Sequence, residues 1–259
     1  MWGRPCVGAY PGSVSDPDLA QRAAPEHPAV RTPRWGLGDA LVGFLLSLVG
    51  AVLALSLVVA ITGDEVDDIS LGWANVAQIG LWVPLVAVPL WVARVKGNGP
   101  VHDYGLRATP MDGLVGPICG FASQVLLLPL LYIPIFWLTN TDTGDLGDVA
   151  KDLTDRADDP FGVAMLVILT GIGAPIVEEI FYRGLLLRSL ERRFGEVVAV
   201  IASGVIFGAI HVQLLPFPGL AAFGIVLGYL AVKTGRLGAP IAAHMAFNLV
   251  TVVALLVAD

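Results

Sequence analysis

Long apolar stretches with few charged residues constrain this chain more than any other feature. They cover residues 37–62, 73–95, 114–139, 161–187, 196–214, 219–233 and 238–258. A helix needs about 20 apolar residues to cross a bilayer, so these stretches predict membrane spans. Composition agrees, because 56% of the 259 residues are hydrophobic and only 14% are charged. We therefore predict an all-α fold, a polytopic transmembrane helical bundle of about seven helices, with six to eight as the range.

The residues before the first apolar stretch differ from the rest of the chain. Residues 1–34 are rich in Pro, Ala and Arg and lack the continuous apolar core of a secretory signal. We interpret them as a disordered tail and residues 35–259 as the transmembrane bundle.

Loop charges predict the orientation of the bundle. Basic segments alternate with acidic ones along the chain; the basic ones lie near residues 94–107, 188–193 and 233–236. Cytoplasmic loops carry an excess of Lys and Arg, so we predict a cytoplasmic N-terminus and an external Asp259. The expected location is the plasma membrane, as an integral membrane protein.

A few polar side chains interrupt the fourth, fifth and seventh apolar stretches. These are Glu178, Glu179, Arg183, His211, His244 and Asn248. Ionisable groups are costly in a bilayer, usually face the interior of a bundle and often mark a functional site. Each also has a structural explanation, as an ion pair, a packed histidine or an asparagine that joins two helices.

Helix geometry assigns different partners to the two glutamates. Adjacent residues on a helix point about 100° apart, so we expect that Glu178 and Glu179 cannot both face the same partner. Arg183 follows Glu179 by four residues, the favoured spacing for an ion pair. Four residues after Glu178 is Tyr182, which is not a basic residue. Glu178 is therefore predicted to be the free carboxylate, a candidate general base.

The same spacing groups the remaining polar residues. Phe207 and His211 are four residues apart and share a helix face, as do His244 and Asn248. At 1.5 Å per residue, Glu178 and His211 each lie about 21–22 Å from the charged end of their stretch, so a common site is consistent with the sequence.

Three motifs in this order resemble the CPBP family, the CAAX-protease and bacteriocin-processing (Abi) membrane proteins. They are EEIFYR at 178–183, FGAIH at 207–211 and HMAFN at 244–248. The resemblance covers about residues 160–258. It implies an intramembrane endopeptidase, a CAAX-type protease, that hydrolyses a peptide bond in a membrane-associated or hydrophobic substrate.

The resemblance also implies a role for each motif residue. Glu178 would be the general base, His211 would position the water, and His244 with Asn248 would stabilise the oxyanion. The residues that would support the site are Glu179, Arg183, Tyr182 and Phe207. This division fits amide hydrolysis, which needs a base, a held water and donors aimed at the developing charge.

The sequence leaves open whether the reaction needs a metal ion. Members of the family are often labelled metalloendopeptidases, and Glu178, His211 and His244 would supply a zinc ligand set. The chain has no HExxH pair on one helix, however. We favour a metal-free mechanism without a cofactor and keep zinc as the alternative.

Two other functions fit the same residues. A proton-coupled membrane transporter could use Glu and His as a proton relay, with a helix opened at Pro175. A non-catalytic immunity or scaffold protein would need none of the site residues. For the protease, the expected partners are a peptide or protein substrate in or at the membrane and the lipid bilayer; no nucleic acid is expected.

Overall fold

The computed structural model describes residues 31–139 and 159–258. Most of the predicted tail, residues 1–34, lies outside this part of the chain. Every regular element in the described part is helical, which confirms the predicted polytopic helical bundle.

Seven apolar helices make up the described bundle. They are α1 (Leu37–Thr62), α2 (Leu71–Lys96), α3 (Asp112–Thr139), α4 (Pro160–Phe194), α5 (Glu196–Ala209), α6 (Phe217–Thr234) and α7 (Gly238–Ala258). Six of them are long and apolar enough to cross a membrane, whereas α5 has only 14 residues. At 1.5 Å per residue α5 is about 21 Å long, shorter than the hydrocarbon core of about 30 Å. The apolar stretch 196–214 is thus a short helix followed by a turn.

The outer faces of these helices are apolar, as a bilayer requires. Leu53 of α1 and Leu130 of α3 are among many large hydrophobic side chains that are exposed. The interior is built around Phe181, Leu185 and Phe207, which are buried. Exposed leucines at helix faces are stable in lipid, so the membrane prediction and the packing agree.

Small residues bring the helices into close contact. Gly204 of α5 lies against Gly224 and Ile225 of α6, and a Cβ atom at Gly204 would lie 2.6 Å from the Ile225 nitrogen. One turn further along α5, a Cβ atom at Gly208 would lie 2.8 Å from the Ala221 nitrogen. Such small-residue faces let backbones approach closely in membranes. The α5–α6 hairpin is therefore fixed by backbone contact.

A charged belt lies at one end of the bundle. Ion pairs there join helix starts to helix ends: Asp39 with Lys96 at 2.5 Å, Asp112 with Arg236 at 2.7 Å, and Glu196 with Lys233 at 2.8 Å. The hydrogen bond to Asp112 raises the pKa of the Arg236 guanidinium, which lies between α6 and α7. The predicted basic loops lie at this end, and the orientation in the membrane stays a prediction.

Helix α4 is continuous but unevenly wound. Two π-helical segments, Val167–Gly173 and Ile180–Leu186, flank an α-helical segment, Ala174–Glu179. The expected opening of the helix at Pro175 is wrong, because the wider turns continue the helix past it. Proline lacks an N–H and clashes with the carbonyl of the preceding turn, and a π-turn relieves that conflict. π-Helical turns often occur at functional sites.

The close α5–α6 contact gives a stability prediction. We expect Gly204→Ala to destabilise the bundle by about 1–3 kcal/mol, because its Cβ atom would meet backbone rather than a flexible side chain. Gly72→Ala on α2 is the matched control: nothing lies within 4 Å of its Cβ position, so the change should be within about 1 kcal/mol. Thermal unfolding in detergent compares the two; equal midpoints would contradict the packing.

Candidate active site

A buried ion pair lies at the centre of the four C-terminal helices. The Arg183 guanidinium donates to Oε1 of Glu179 over 2.8 Å, and both side chains are 0% exposed. A second Arg183 nitrogen donates to the Gly224 carbonyl of α6 over 3.0 Å. The guanidinium also lies 4.4 Å from the centre of the Phe207 ring of α5. The predicted pairing of Glu179 with Arg183 is confirmed, and it connects α4 to both α5 and α6.

His244 of α7 extends this ion pair into a network. Its Nδ1 lies 2.9 Å from the Glu179 Oε1 that Arg183 also contacts. A carboxylate can only accept, so Nδ1 carries the hydrogen and donates it. In the neutral imidazole the other nitrogen, Nε2, then has a lone pair. Glu179 therefore fixes both the orientation of the His244 ring and its tautomer.

Glu178 approaches the opposite side of the same ring. Its Oε2 lies 3.9 Å from Nε2 of His244. The prediction that the two glutamates cannot share a partner is therefore wrong. Side chains 100° apart on α4 can contact one imidazole from two sides, because α7 inserts the ring between them.

Glu178 differs from Glu179 in access and in bonding. Its side chain is 19% exposed, and it makes no hydrogen bond within the described residues. Both His211 and His244 are close enough to interact with it electrostatically. A carboxylate that is reachable and not held by a donor suits a proton acceptor.

His211 lies in the turn after α5 rather than on the helix. Its Nδ1 is 2.8 Å from the Phe207 carbonyl oxygen, which can only accept, so Nδ1–H donates and Nε2 is free. The rings of His211 and His244 lie 5.0 and 5.5 Å from the Phe207 ring. Phe207 thus separates and positions the two histidines, which the structure brings to one site.

Asn248 and Tyr182 lie at the border of this site. The Asn248 amide donates one hydrogen to the Thr170 carbonyl over 2.9 Å, which joins α7 to a π-helical turn of α4. Its second amide hydrogen is still available. Tyr182 is buried and packs edge-to-face on Phe207 at 5.6 Å.

The described residues do not form a metal centre. In the two described ranges, no three His, Cys, Asp or Glu side chains come together in an arrangement that could hold a metal ion. Glu178 lies 3.9 Å from His244, and both histidines lie against Phe207, but Glu178, His211 and His244 do not converge as a set of zinc ligands. As they are arranged here, these residues do not fit the zinc alternative.

Two residues of the site were not predicted from the sequence. Gly224 supplies a backbone carbonyl to Arg183, and Phe223 packs edge-to-face on His244 at 5.6 Å. The spacing of Gly204 with Gly208, and of Gly224 with Gly228, was the available signal, since pairs of small residues four apart mark close helix contacts. Nothing in the sequence pointed to Phe223.

Part of this chain is similar to membrane peptidases of the Rce1-like class. Residues 160–250 match the family described as type II CAAX prenyl endopeptidase Rce1-like. A stretch of 91 residues is 32% identical to the Bacillus subtilis (strain 168) protein named "Putative membrane peptidase YdiL". Both comparisons agree with the resemblance of the three motifs to the CPBP family.

These comparisons cover part of each protein. The match to YdiL covers 35% of this chain and 37% of that relative's length. No solved structure matches. The family match begins at the start of α4 and ends within α7, and it includes every site residue described above.

The different environments of the two glutamates give a second prediction. We expect Glu179→Gln to destabilise the protein by about 3–5 kcal/mol, because the Arg183 charge would stay buried without its counter-ion. Glu178→Gln should change stability by no more than about 1 kcal/mol, since its nearest charged contact is a long one. Unfolding midpoints in one detergent test this. A larger loss of stability in Glu178→Gln than in Glu179→Gln would contradict the assignment of Glu179 as the structural partner of Arg183.

Proposed function

We propose that this protein is an intramembrane endopeptidase that uses Glu178 as its general base. The observation that carries the proposal is the accessible Glu178 carboxylate, which has no hydrogen bond to another described residue and lies beside two histidines with oriented rings. The match of residues 160–250 to a family of membrane peptidases supports it.

In this mechanism a water molecule lies between Glu178 and His211. Glu178 takes one proton from the water, and Nε2 of His211 accepts a hydrogen bond from the other hydrogen. The water oxygen then forms a bond to the carbon of the scissile carbonyl. Holding base, water and carbonyl together removes much of the entropic barrier to this attack.

The attack places a negative charge on the carbonyl oxygen. The free amide hydrogen of Asn248 can stabilise that charge. His244 can do so only in the form in which its Nε2 also carries a hydrogen. The intermediate collapses when the carbon–nitrogen bond breaks and Glu178 gives its proton to the leaving amine. The carboxylate is then regenerated.

The location of the site points to the class of substrate. The site lies among helices whose outer faces are apolar, so a hydrophobic or membrane-tethered peptide could reach it from the bilayer. We assign a CAAX-type reaction only as far as the family match suggests. A plasma membrane location with a cytoplasmic N-terminus is part of the same proposal, supported by the clustering of basic loops at one end of the bundle.

The transporter and scaffold functions have less structural support than the peptidase function. The transporter interpretation rested in part on a helix opened at Pro175, and α4 continues through that residue. A scaffold has no need for Glu178 to lie beside two histidines.

The proposal predicts that cleavage depends on Glu178. We expect Glu178→Gln to lower kcat/KM for a cleaved hydrophobic peptide by about 10²–10⁴-fold, the usual contribution of a general base. Glu191→Gln is the matched control, because Glu191 is on the same helix but pairs with Arg188 at the charged end. Cleavage by purified protein in detergent, followed by mass spectrometry, gives the rates. Equal cleavage by wild type and Glu178→Gln would exclude this role for Glu178.

A metal-free mechanism predicts indifference to chelators. Incubation with 1,10-phenanthroline or EDTA should leave kcat/KM within about twofold, since the proposed mechanism uses a glutamate base and no metal ion. A metal-dependent peptidase assayed in the same detergent is the control. Loss of activity that only added zinc restores would establish the zinc alternative.

A further inference from the structure

The turn between α5 and α6 contains a strained residue next to His211. Val212 has a φ of 53°. Among the described residues, every other positive φ belongs to a glycine. That conformation is unfavourable for a β-branched side chain and persists only where the surrounding structure enforces it. Backbone strain of this kind is concentrated at functional sites.

Hydrogen bonds hold this turn from several sides. The Val212 nitrogen donates to the Ala209 carbonyl over 3.1 Å, and the Phe217 nitrogen donates to the Gln213 carbonyl over 3.0 Å. Tyr132 of α3 is buried behind the turn. Its hydroxyl donates to the Leu215 carbonyl over 2.8 Å and accepts from a backbone nitrogen of α6 over 3.0 Å. The conformation of the turn is therefore fixed before any substrate binds.

An apolar cavity of about 300 Å³ opens beside this turn. Its walls are Gly208, Ala209, Val212, Gln213, Leu214 and Phe217. Val212 and Leu214 are 90% and 92% exposed, although both are large and hydrophobic. The volume is at the lower end of the range for ligand sites, which suits one side chain better than a whole small molecule.

Residues that line the cavity are next to residues of the candidate active site in the chain. Val212 follows His211 directly, and Gly208 follows Phe207, the ring that contacts both histidines. Consecutive Cα atoms of a peptide are 3.8 Å apart. A substrate with its scissile carbonyl beside His211 would thus have a neighbouring side chain within reach of the cavity.

We propose that this cavity binds an apolar side chain of the substrate next to the scissile bond and so determines which peptides are cut. The inference rests on the proposed peptidase function. Ala209 is the residue that limits the size of the side chain, because it lines the cavity and is itself exposed. Gly208 lines it too, but a Cβ atom there would collide with α6.

The test fills the cavity without disturbing the helix contacts. Peptides that differ only in an Ala, Leu or Phe residue next to the cut are compared for wild type and Ala209→Phe. We expect Ala209→Phe to reduce kcat/KM for the Leu and Phe peptides by at least tenfold and to spare the Ala peptide. Val205→Phe is the matched control, because Val205 is exposed on the same helix one turn earlier and does not line the cavity. An unchanged preference in Ala209→Phe would overturn the proposal.

Affinity measurements test the cavity proposal independently of the proposed peptidase function. The affinities of the same peptides, carrying a fluorophore, are measured in Glu178→Gln protein with and without Ala209→Phe. A preference for Leu and Phe that Ala209→Phe removes supports the cavity, even if wild type cuts none of the peptides. Cleavage by wild type with equal affinity for all three peptides supports the peptidase and contradicts the cavity.

A second variant tests the strained residue. Val212→Gly should raise the unfolding midpoint, because glycine adopts a positive φ without steric cost. It should also weaken the preference for Leu and Phe peptides, since it removes one wall of the cavity. A lower midpoint together with an unchanged preference would show that Val212 serves neither purpose.

Discussion

The burial of one ion pair in an apolar bundle governs the arrangement of the C-terminal helices. Arg183 and Glu179 are fully buried, so each charge needs partners inside the protein. Those partners come from other helices: the Gly224 carbonyl, the Phe207 ring and the His244 imidazole. Satisfying the charges therefore brings α5, α6 and α7 against α4. The site is a consequence of that requirement.

The same packing gives the two adjacent glutamates, Glu178 and Glu179, different environments. Glu179 is held in place by a guanidinium and an imidazole. Glu178 points to the accessible side of the same imidazole. Two adjacent glutamates thus have different contacts: Glu179 orients a histidine, and Glu178, the proposed general base, accepts no hydrogen bond from the described residues. Their environments, not their identities, separate them.

Local distortions of the helices are concentrated around this site. Helix α4 has π-helical turns on both sides of Glu178 and Glu179, and α5 stops short at Ala209. In lipid, irregular backbone is tolerated only where protein or a polar cavity satisfies it. Asn248 bonds to Thr170 in one π-helical turn, and Tyr132 bonds to the turn after α5. Side chains from distant helices thus stabilise the distortions that shape the site.

The sequence by itself determined the helices, their approximate bounds and the pairing of Glu179 with Arg183, because hydrophobic length and i, i+4 spacing are local properties. It did not determine that both glutamates contact His244, that α5 ends before His211, or that α4 continues through Pro175 between two π-helical segments. Those features depend on the contacts that neighbouring helices make with a buried charge, a backbone carbonyl or a strained turn. Only tertiary packing decides them, since the interacting groups are far apart in the chain.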